Sequence, residues 1–97
     1  MPVREWLLSL DKQDRIEIGG DIANAEYNWP VGPPKCKLLE RGIFEIRSNI
    51  SSGRTARVLF FIEAKEMYLL HGFIKKSQKT PRRDLELAKT RKKEMEE

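Results

Sequence analysis

The chain has 97 residues, of which 39% are hydrophobic and 35% are charged, and its formal net charge is +4. A chain of this length suits one compact domain, and no apolar run approaches the roughly 20 residues that cross a bilayer. The single cysteine, Cys36, excludes an intramolecular disulfide and a zinc site built on paired cysteines.

The first ten residues lack the pattern of a signal peptide, so we expect a cytoplasmic protein. The same residues predict a short helix that begins at Pro2. The apolar face of this helix is formed at helical spacing by Val3, Trp6, Leu7 and Leu10. Asp11 predicts the N-cap of a second helix over about residues 12–27. Gly19 and Gly20 lie inside it and cost about 1 kcal/mol each relative to Ala. Either they allow a close crossing with the first helix, which we favour, or the second helix begins later.

A connector at residues 28–34 contains three prolines and a glycine, which excludes a regular element there. Period-two alternation after it predicts strands at residues 35–40, 43–49, 55–63 and 67–74. Turns at residues 51–54 and 64–66 join the last three of these strands into hairpins. We therefore expect an antiparallel sheet of three or four strands, with the two N-terminal helices on one face.

The last segment predicts a heavily charged helix over residues 80–97. Thr80 suits the N-cap and Pro81 the first helical position, and a narrow apolar stripe follows at Leu85, Ala88 and Met95. The whole chain, 1–97, is thus predicted to be one α+β domain, with a helical pair in 1–27, an antiparallel sheet in 35–75 and a C-terminal helix.

Positive charge is concentrated in the predicted sheet. Residues 1–34 carry a net charge of −3, residues 35–83 carry +8, and residues 84–97 carry −1. A polyanion is the natural partner for such a patch, because each phosphate that Lys or Arg neutralises releases condensed counterions. The alternative is a solvated surface that has no partner.

Strand alternation divides the sheet into two faces. The apolar face, expected against the helices, contains Phe44, Ile46, Val58, Phe60, Ile62, Tyr68, Leu70 and Ile74. The opposite, open face contains Glu45, Arg47, Arg57, His71, Phe73 and Lys75, and Lys76, Lys79, Arg82 and Arg83 continue from its edge. Cations on such a face can stabilise the phosphorane-like transition state of RNA cleavage by a neighbouring 2′-hydroxyl, and an aromatic ring can stack on a base. A protein that binds RNA without cleaving it would present the same surface.

Two residues on this face have a structural interpretation as well. A lone histidine such as His71 is more often a surface or packing residue than a catalytic base. Glu45 is two residues from Arg47 on the same strand face, and in isolation it is more often an ion-pair partner than a catalytic group.

Three segments carry a family resemblance: residues 37–47 (KLLERGIFEIR), 53–61 (GRTARVLFF) and 69–81 (LLHGFIKKSQKTP). The chain resembles the phage-derived HigB-like branch of the RelE toxin superfamily, and the resemblance covers most of its length. It implies the toxin of a type II toxin–antitoxin pair, an endoribonuclease that cleaves messenger RNA on the ribosome without a metal or other cofactor. It also implies a cognate antitoxin that carries a helix-turn-helix domain.

The resemblance also implies roles for individual residues. Arg47, Arg57 and Lys75 or Lys76 match the cationic catalytic positions, and Glu45 falls where many relatives have a lysine, so it is either a general base or a charge partner. The residues expected to bind RNA around them are Lys35, Lys37, His71, Phe73, Lys79, Arg82 and Arg83.

Members of this branch usually have one more strand before the segment that resembles residues 2–7. This chain begins at that segment, which is consistent with an upstream start, a decayed copy or a complete chain. We therefore expect an open sheet edge that a second copy or an antitoxin strand could fill. A non-catalytic RNA- or ribosome-binding module derived from the same fold is the alternative function, and a protein-interaction domain is a third.

Overall fold

The computed structural model describes residues 2–75 and 80–96. Its elements in chain order are α1 (Pro2–Leu8), α2 (Lys12–Tyr27), β1 (Cys36–Glu40), β2 (Ile43–Asn49), a 3-10 turn (Ser51–Gly53), β3 (Thr55–Glu63), β4 (Glu66–Lys75) and α3 (Arg82–Glu96). The predicted α+β class is confirmed, as are the predicted bounds of α2, β2 and β3. Strand β1 begins one residue later than predicted, and β4 is one residue longer at each end.

The described strands form one antiparallel sheet in the order β1-β2-β3-β4. The β3–β4 hairpin closes through Ala64 and Lys65, whose φ values of 52° and 67° both lie in the left-handed region. Such two-residue turns match the right-handed twist of the flanking strands. Register is therefore fixed along the hairpin, where Glu63 pairs with Glu66.

Helices α1 and α2 cover one face of the sheet, as predicted, and their shared core includes Val3, Ile18, Ile46, Val58 and Phe60. Aromatic rings pack within this core: Trp29 lies edge-on to Phe44 and to Phe60, with 4.9 Å and 5.3 Å between the ring centroids. Cys36 is buried in the same core, where burial raises the pKa of its thiol.

The predicted close helix crossing at Gly19 and Gly20 is wrong. A Cβ at either position would meet nothing within 4 Å, and α2 nevertheless begins at Lys12. The close approach lies instead at Gly72 of β4, where a Cβ would overlap the indole ring of Trp6. A glycine in β4 thus lets α1 lie directly against the sheet.

Strand β4 contains a bulge that alternation did not predict. The register shifts between Leu59 and Phe60 of β3, and Leu70 is the extra residue on β4. As a result Tyr68 and Leu70 lie with the core on the second face of the sheet, so their assignment to the α1–α2 face was wrong. Leu69 takes their place against the N-terminal helices. One inserted residue reverses the facing of every side chain beyond it.

Helix α3 packs on part of the second sheet face. Ala88 is fully buried there, and Leu85 packs with it against a core that contains Leu59, Phe61 and Leu70. The predicted N-cap at Thr80 and first helical position at Pro81 are both wrong, because α3 begins at Arg82 and backbone N–H groups of its first turn donate to the carbonyl oxygen of Pro81. None of the helices in the described ranges is long and apolar enough to cross a membrane.

The turn between β2 and β3 is tied to α2 by one carboxylate. Asp14 is only 2% exposed and accepts hydrogen bonds from the backbone N–H and the hydroxyl of Ser51, each at 3.1 Å, and from Nη2 of Arg54 at 2.7 Å. The backbone hydrogen bond from Ser51 is the first cause that holds the pKa of Asp14 below its ordinary value, and the Ser51 hydroxyl and Arg54 add to it. These contacts fix the turn against the helix.

Candidate functional site

The second face of the sheet, opposite α1 and α2 and partly covered by α3, carries two neighbouring rows of side chains that cross the strands. In the first, which we call the arginine row, Arg47 of β2 pairs with Arg57 of β3, and Arg57 pairs with Phe73 of β4. In the second, Glu45 pairs with Leu59, and Leu59 pairs with His71. Residues that directly oppose each other on one face of an antiparallel pair have Cβ atoms about 4.5–5.5 Å apart. The register therefore brings together the residues that the sequence assigned to one face.

Glu45 and Arg57 form a buried ion pair between these rows. Nη1 of Arg57 donates to Oε1 of Glu45, and the hydroxyl of Thr80 donates to Oε2 of Glu45 at 2.9 Å. Glu45 is 2% exposed and Arg57 is 3% exposed, so the prediction that both lie on an open surface is wrong. Alternation identifies the face of a side chain but not what packs on that face, and here the chain entering α3 supplies a partner.

The guanidinium of Arg57 is incompletely satisfied. Its Nε is buried and has no hydrogen-bond partner among the described residues. A buried donor without a partner lowers the stability of the fold by about 1–3 kcal/mol, so such a group calls for an explanation, such as a ligand that it binds. A phosphate oxygen is a ligand that a guanidinium binds through two parallel N–H donors.

Arg47 is the accessible member of the arginine row. It is half-buried, and together with Pro34, Lys35 and Asn49 it lines a surface concavity of about 290 Å³. Its backbone N–H donates to the carbonyl oxygen of Lys35 at 2.8 Å, which fixes where its side chain begins. None of the described carboxylates forms an ion pair with its guanidinium, whereas Lys35 is paired with Asp21 at 3.2 Å. The concavity is thus a cationic site with room for an anion.

His71 connects the sheet to α3. Its Nε2 lies 2.6 Å from Oδ1 of Asp84, and its Nδ1 lies 3.2 Å from Nη1 of Arg91, which also donates to the carbonyl oxygen of Leu70 at 2.9 Å. A guanidinium can only donate, so this geometry fits the tautomer in which Nδ1 accepts and Nε2 donates to Asp84. The imidazole also stacks on Phe73 with 5.6 Å between ring centroids. Both ring nitrogens are engaged, which supports the packing interpretation of this histidine.

The remaining predicted residues surround this region. Lys37 is exposed on β1, where it lies opposite Glu45 in the strand register. Arg82 and Arg83 are exposed in the first turn of α3. Lys75 ends β4 opposite Thr55, but its side chain lies outside the described part of the structure. Lys76 and Lys79 lie outside the described residues altogether. No group of three His, Cys, Asp or Glu side chains within residues 2–75 and 80–96 is placed to bind a metal ion.

Sequence reasoning missed three residues that touch this region: Thr80, Asp84 and Arg91. Thr80 was assigned to a helix cap, although its hydroxyl reaches β2 instead. Asp84 and Arg91 are seven residues apart, which places them two turns apart on one side of α3, where both reach His71. That spacing was a usable signal, because opposite charges at i and i+7 mark one face of a helix.

A family model described as Phage derived protein Gp49-like (DUF891) matches residues 5–93, which is most of the chain. The match includes the second half of α1, all of α2, the whole sheet and most of α3. No curated protein matches the chain.

Proposed function

The chain belongs to the family of phage-derived Gp49-like proteins, which are RelE-like toxins of toxin–antitoxin systems, and we propose that it is a ribosome-dependent endoribonuclease that cleaves messenger RNA. In this proposal it is a HigB-like toxin that acts in the cytoplasm, uses no metal ion or cofactor, and inhibits translation. Membership in such a system implies an antitoxin, and we propose one with a helix-turn-helix domain. The outer edges of β1 and β4 are unpaired among the described residues, so a second copy or an antitoxin strand could pair there.

The observation that carries the proposal is the arginine row. Arg47 and Arg57 oppose each other directly on neighbouring strands, and like charges in that position destabilise a sheet. The carboxylate of Glu45 neutralises the charge of Arg57, but no described carboxylate forms an ion pair with Arg47. An anion bound beside Arg47 removes this repulsion, and a phosphate of RNA has the charge and the acceptor geometry to do so.

The proposed reaction is transfer of a phosphoryl group within the RNA strand. The 2′-oxygen attacks the adjacent phosphorus as the bond from phosphorus to the 5′-oxygen breaks, which leaves a cyclic phosphate and a 5′-hydroxyl. One proton leaves the 2′-hydroxyl and one reaches the 5′-oxygen. The transition state gains negative charge on the phosphoryl oxygens, and preorganised cations stabilise that charge more than they stabilise the ground state.

Within this scheme Arg47 contacts the phosphate. Arg57, buried on the neighbouring strand, adds a positive charge close to the same phosphate without touching it. Lys75 or Lys76 would add a further cation from the end of β4. Phe73 completes the arginine row with an aromatic surface on which a base can stack, a contact that tolerates any base.

Glu45 fits the role of charge partner rather than that of general base. Both carboxylate oxygens already accept hydrogen bonds, one from Arg57 and one from Thr80, and the side chain is almost completely buried. A general base must come within about 2.6–3.2 Å of the proton that it removes, or reach it through one water. A carboxylate enclosed in this way orients its arginine.

Induced expression in bacteria tests the proposal. Wild-type protein should arrest growth and produce cleaved messenger RNA, and Arg47→Ala should abolish both, because losing one transition-state donor costs about 10²–10³ in rate. Arg41→Ala is the matched control, since Arg41 is exposed in the β1–β2 turn and away from the arginine row. Equal toxicity of wild type and Arg47→Ala would contradict the assignment, and intact messenger RNA under all three proteins would end the proposal.

The burial of Arg57 favours a second candidate, a ribosome- or RNA-binding module without chemistry. A cation that is 3% exposed cannot bind a phosphate without a local rearrangement. This candidate predicts salt-sensitive cosedimentation with ribosomes and no cleaved product. Cleavage that depends on Arg47 excludes it.

A further inference from the structure

Thr80 has a hydroxyl that the nearby helix does not use. Helix α3 begins at Arg82, and the backbone N–H groups of Asp84 and Leu85 both bond to the carbonyl oxygen of Pro81 at 3.1 Å. The Thr80 hydroxyl instead donates to Oε2 of Glu45 at 2.9 Å, across 35 residues of sequence. The entrance to α3 is therefore attached to the middle of β2.

This bond fixes the plane of the Glu45 carboxylate. The last torsion of a glutamate side chain is broad and roughly two-fold, so the carboxylate orientation depends on the partners of its two oxygens. Arg57 occupies one oxygen and Thr80 occupies the other. Without the hydroxyl, Oε2 would be a buried acceptor with no partner in the described part of the chain, and the carboxylate would rotate to find one.

Arg57 depends on that carboxylate for its own orientation. The contact with Glu45 is the only hydrogen bond of its guanidinium within the described ranges, and Nε is without a partner. We therefore expect a rotation of the carboxylate to move the guanidinium, because no second hydrogen bond from the described residues holds it. Arg57 is the neighbour of Arg47 in the arginine row, so its position decides how close its charge lies to a phosphate that Arg47 contacts.

We propose that Thr80 is a positioning residue, whose hydroxyl orients Glu45 and through it holds the Arg57 guanidinium beside Arg47, where its charge supports a phosphate that Arg47 contacts. The part that concerns phosphate rests on the proposed function, whereas the part that concerns Arg57 does not. Thr80 itself touches no substrate in this role.

The test compares three variants of the full chain. Thr80→Val removes the hydroxyl at nearly constant shape, and Thr80→Ser keeps it. Thr90→Val is the matched control, because the Thr90 hydroxyl donates at 3.1 Å to Glu86 within α3 and not to the sheet. The first measurement is the ¹H–¹⁵N signal of the Arg57 Nε–H group, assigned by its loss in Arg57→Lys. The second is the rate of messenger RNA cleavage on purified ribosomes.

In Thr80→Val the Arg57 Nε–H signal should move and exchange faster with solvent, and it should keep its wild-type position in Thr80→Ser and Thr90→Val. Cleavage by Thr80→Val should fall by about ten- to a hundredfold, the range expected when a hydrogen bond to a charged group is lost. Thr80→Ser should restore it, and thermal unfolding should confirm that all three variants fold.

The two measurements separate the two proposals. An Arg57 signal that is unchanged in Thr80→Val overturns the positioning role, whatever the cleavage rate. A signal that moves as expected while wild-type protein leaves messenger RNA intact supports the positioning role and overturns the endoribonuclease. A signal that moves while Thr80→Val cleaves at the wild-type rate overturns the link between Arg57 orientation and catalysis.

Discussion

Two arginine–carboxylate pairs lie near the start of β3, at Arg54 and Arg57, and they are built differently. In the Asp14–Arg54 pair the carboxylate accepts three hydrogen bonds, and the arginine uses Nε and Nη2 on Ser51 and Asp14 while its side chain stays 41% exposed. In the Glu45–Arg57 pair both side chains are buried, and Nε of the arginine has no partner among the described residues.

The difference separates a structural pair from a functional one. The first pair satisfies the polar groups of a turn and leaves its cation in water, where solvent screens it. The second keeps a desolvated cation next to another arginine, which lowers stability unless an anion is bound. Burial alone does not distinguish them, since Asp14 and Glu45 are both 2% exposed.

The largest expected effect comes from breaking the buried pair on one side. Glu45→Ala leaves Arg57 buried without its carboxylate, and the free energy of unfolding in urea should fall by about 3–5 kcal/mol. The double variant Glu45→Leu with Arg57→Met replaces the pair by apolar side chains and should recover most of that loss. A double variant as unstable as Glu45→Ala would mean that the pair is needed for folding.

A smaller effect is expected when the Asp14 network is broken, and it should depend on pH. Hydrogen bonds from Ser51 hold the pKa of Asp14 below its ordinary value, so its carboxylate stabilises the fold above the unfolded-state value and loses this contribution as pH falls through the lower folded value. Asp14→Asn should therefore lower the melting temperature at neutral pH and reduce the acid-induced decrease below about pH 4.

Asp11→Asn is the control for this measurement, because Asp11 is exposed and its side chain makes no cap hydrogen bond at the start of α2. A pH dependence of melting that is the same in Asp14→Asn and in wild type would contradict the role given to Asp14. Neither variant should change the cleavage of messenger RNA.

The smallest effect on stability is expected for Arg54→Lys. The arginine is half-exposed and a lysine keeps its charge, so the loss should be below about 1 kcal/mol in urea unfolding, with cleavage unchanged. Arg57→Lys makes the same exchange in the buried pair, and there a compact ammonium cannot replace the planar guanidinium, so cleavage should be lost. If both substitutions reduce cleavage equally, the distinction between the two pairs is wrong.

The elements of this fold could be predicted because they follow local patterns. Alternation and turn residues gave β2 and β3 their correct bounds, and helical spacing with Asp11 gave those of α2. The same alternation placed Glu45, Arg47, Arg57, His71 and Phe73 on one face, because the register of tight hairpins follows from their turns.

The features that could not be predicted are those set by tertiary packing. The bulge at Leu70 leaves no period-two signal, so Tyr68 was assigned to the wrong face. The burial of Glu45 and Arg57 depends on where the chain enters α3, and the contact of Thr80 spans 35 residues. Sequence patterns report the neighbours along an element, whereas these contacts are made between elements.

Cleavage of messenger RNA on purified ribosomes by the double variant Glu45→Leu with Arg57→Met is the most direct test of the arginine row. We predict that this variant is folded and binds ribosomes, and that its cleavage rate is lower than that of wild type by about a hundredfold, the effect of losing one preorganised charge that stabilises the transition state. Cleavage at the wild-type rate by the folded double variant would contradict the role of Arg57 in the arginine row, because the reaction would then need neither member of the buried pair.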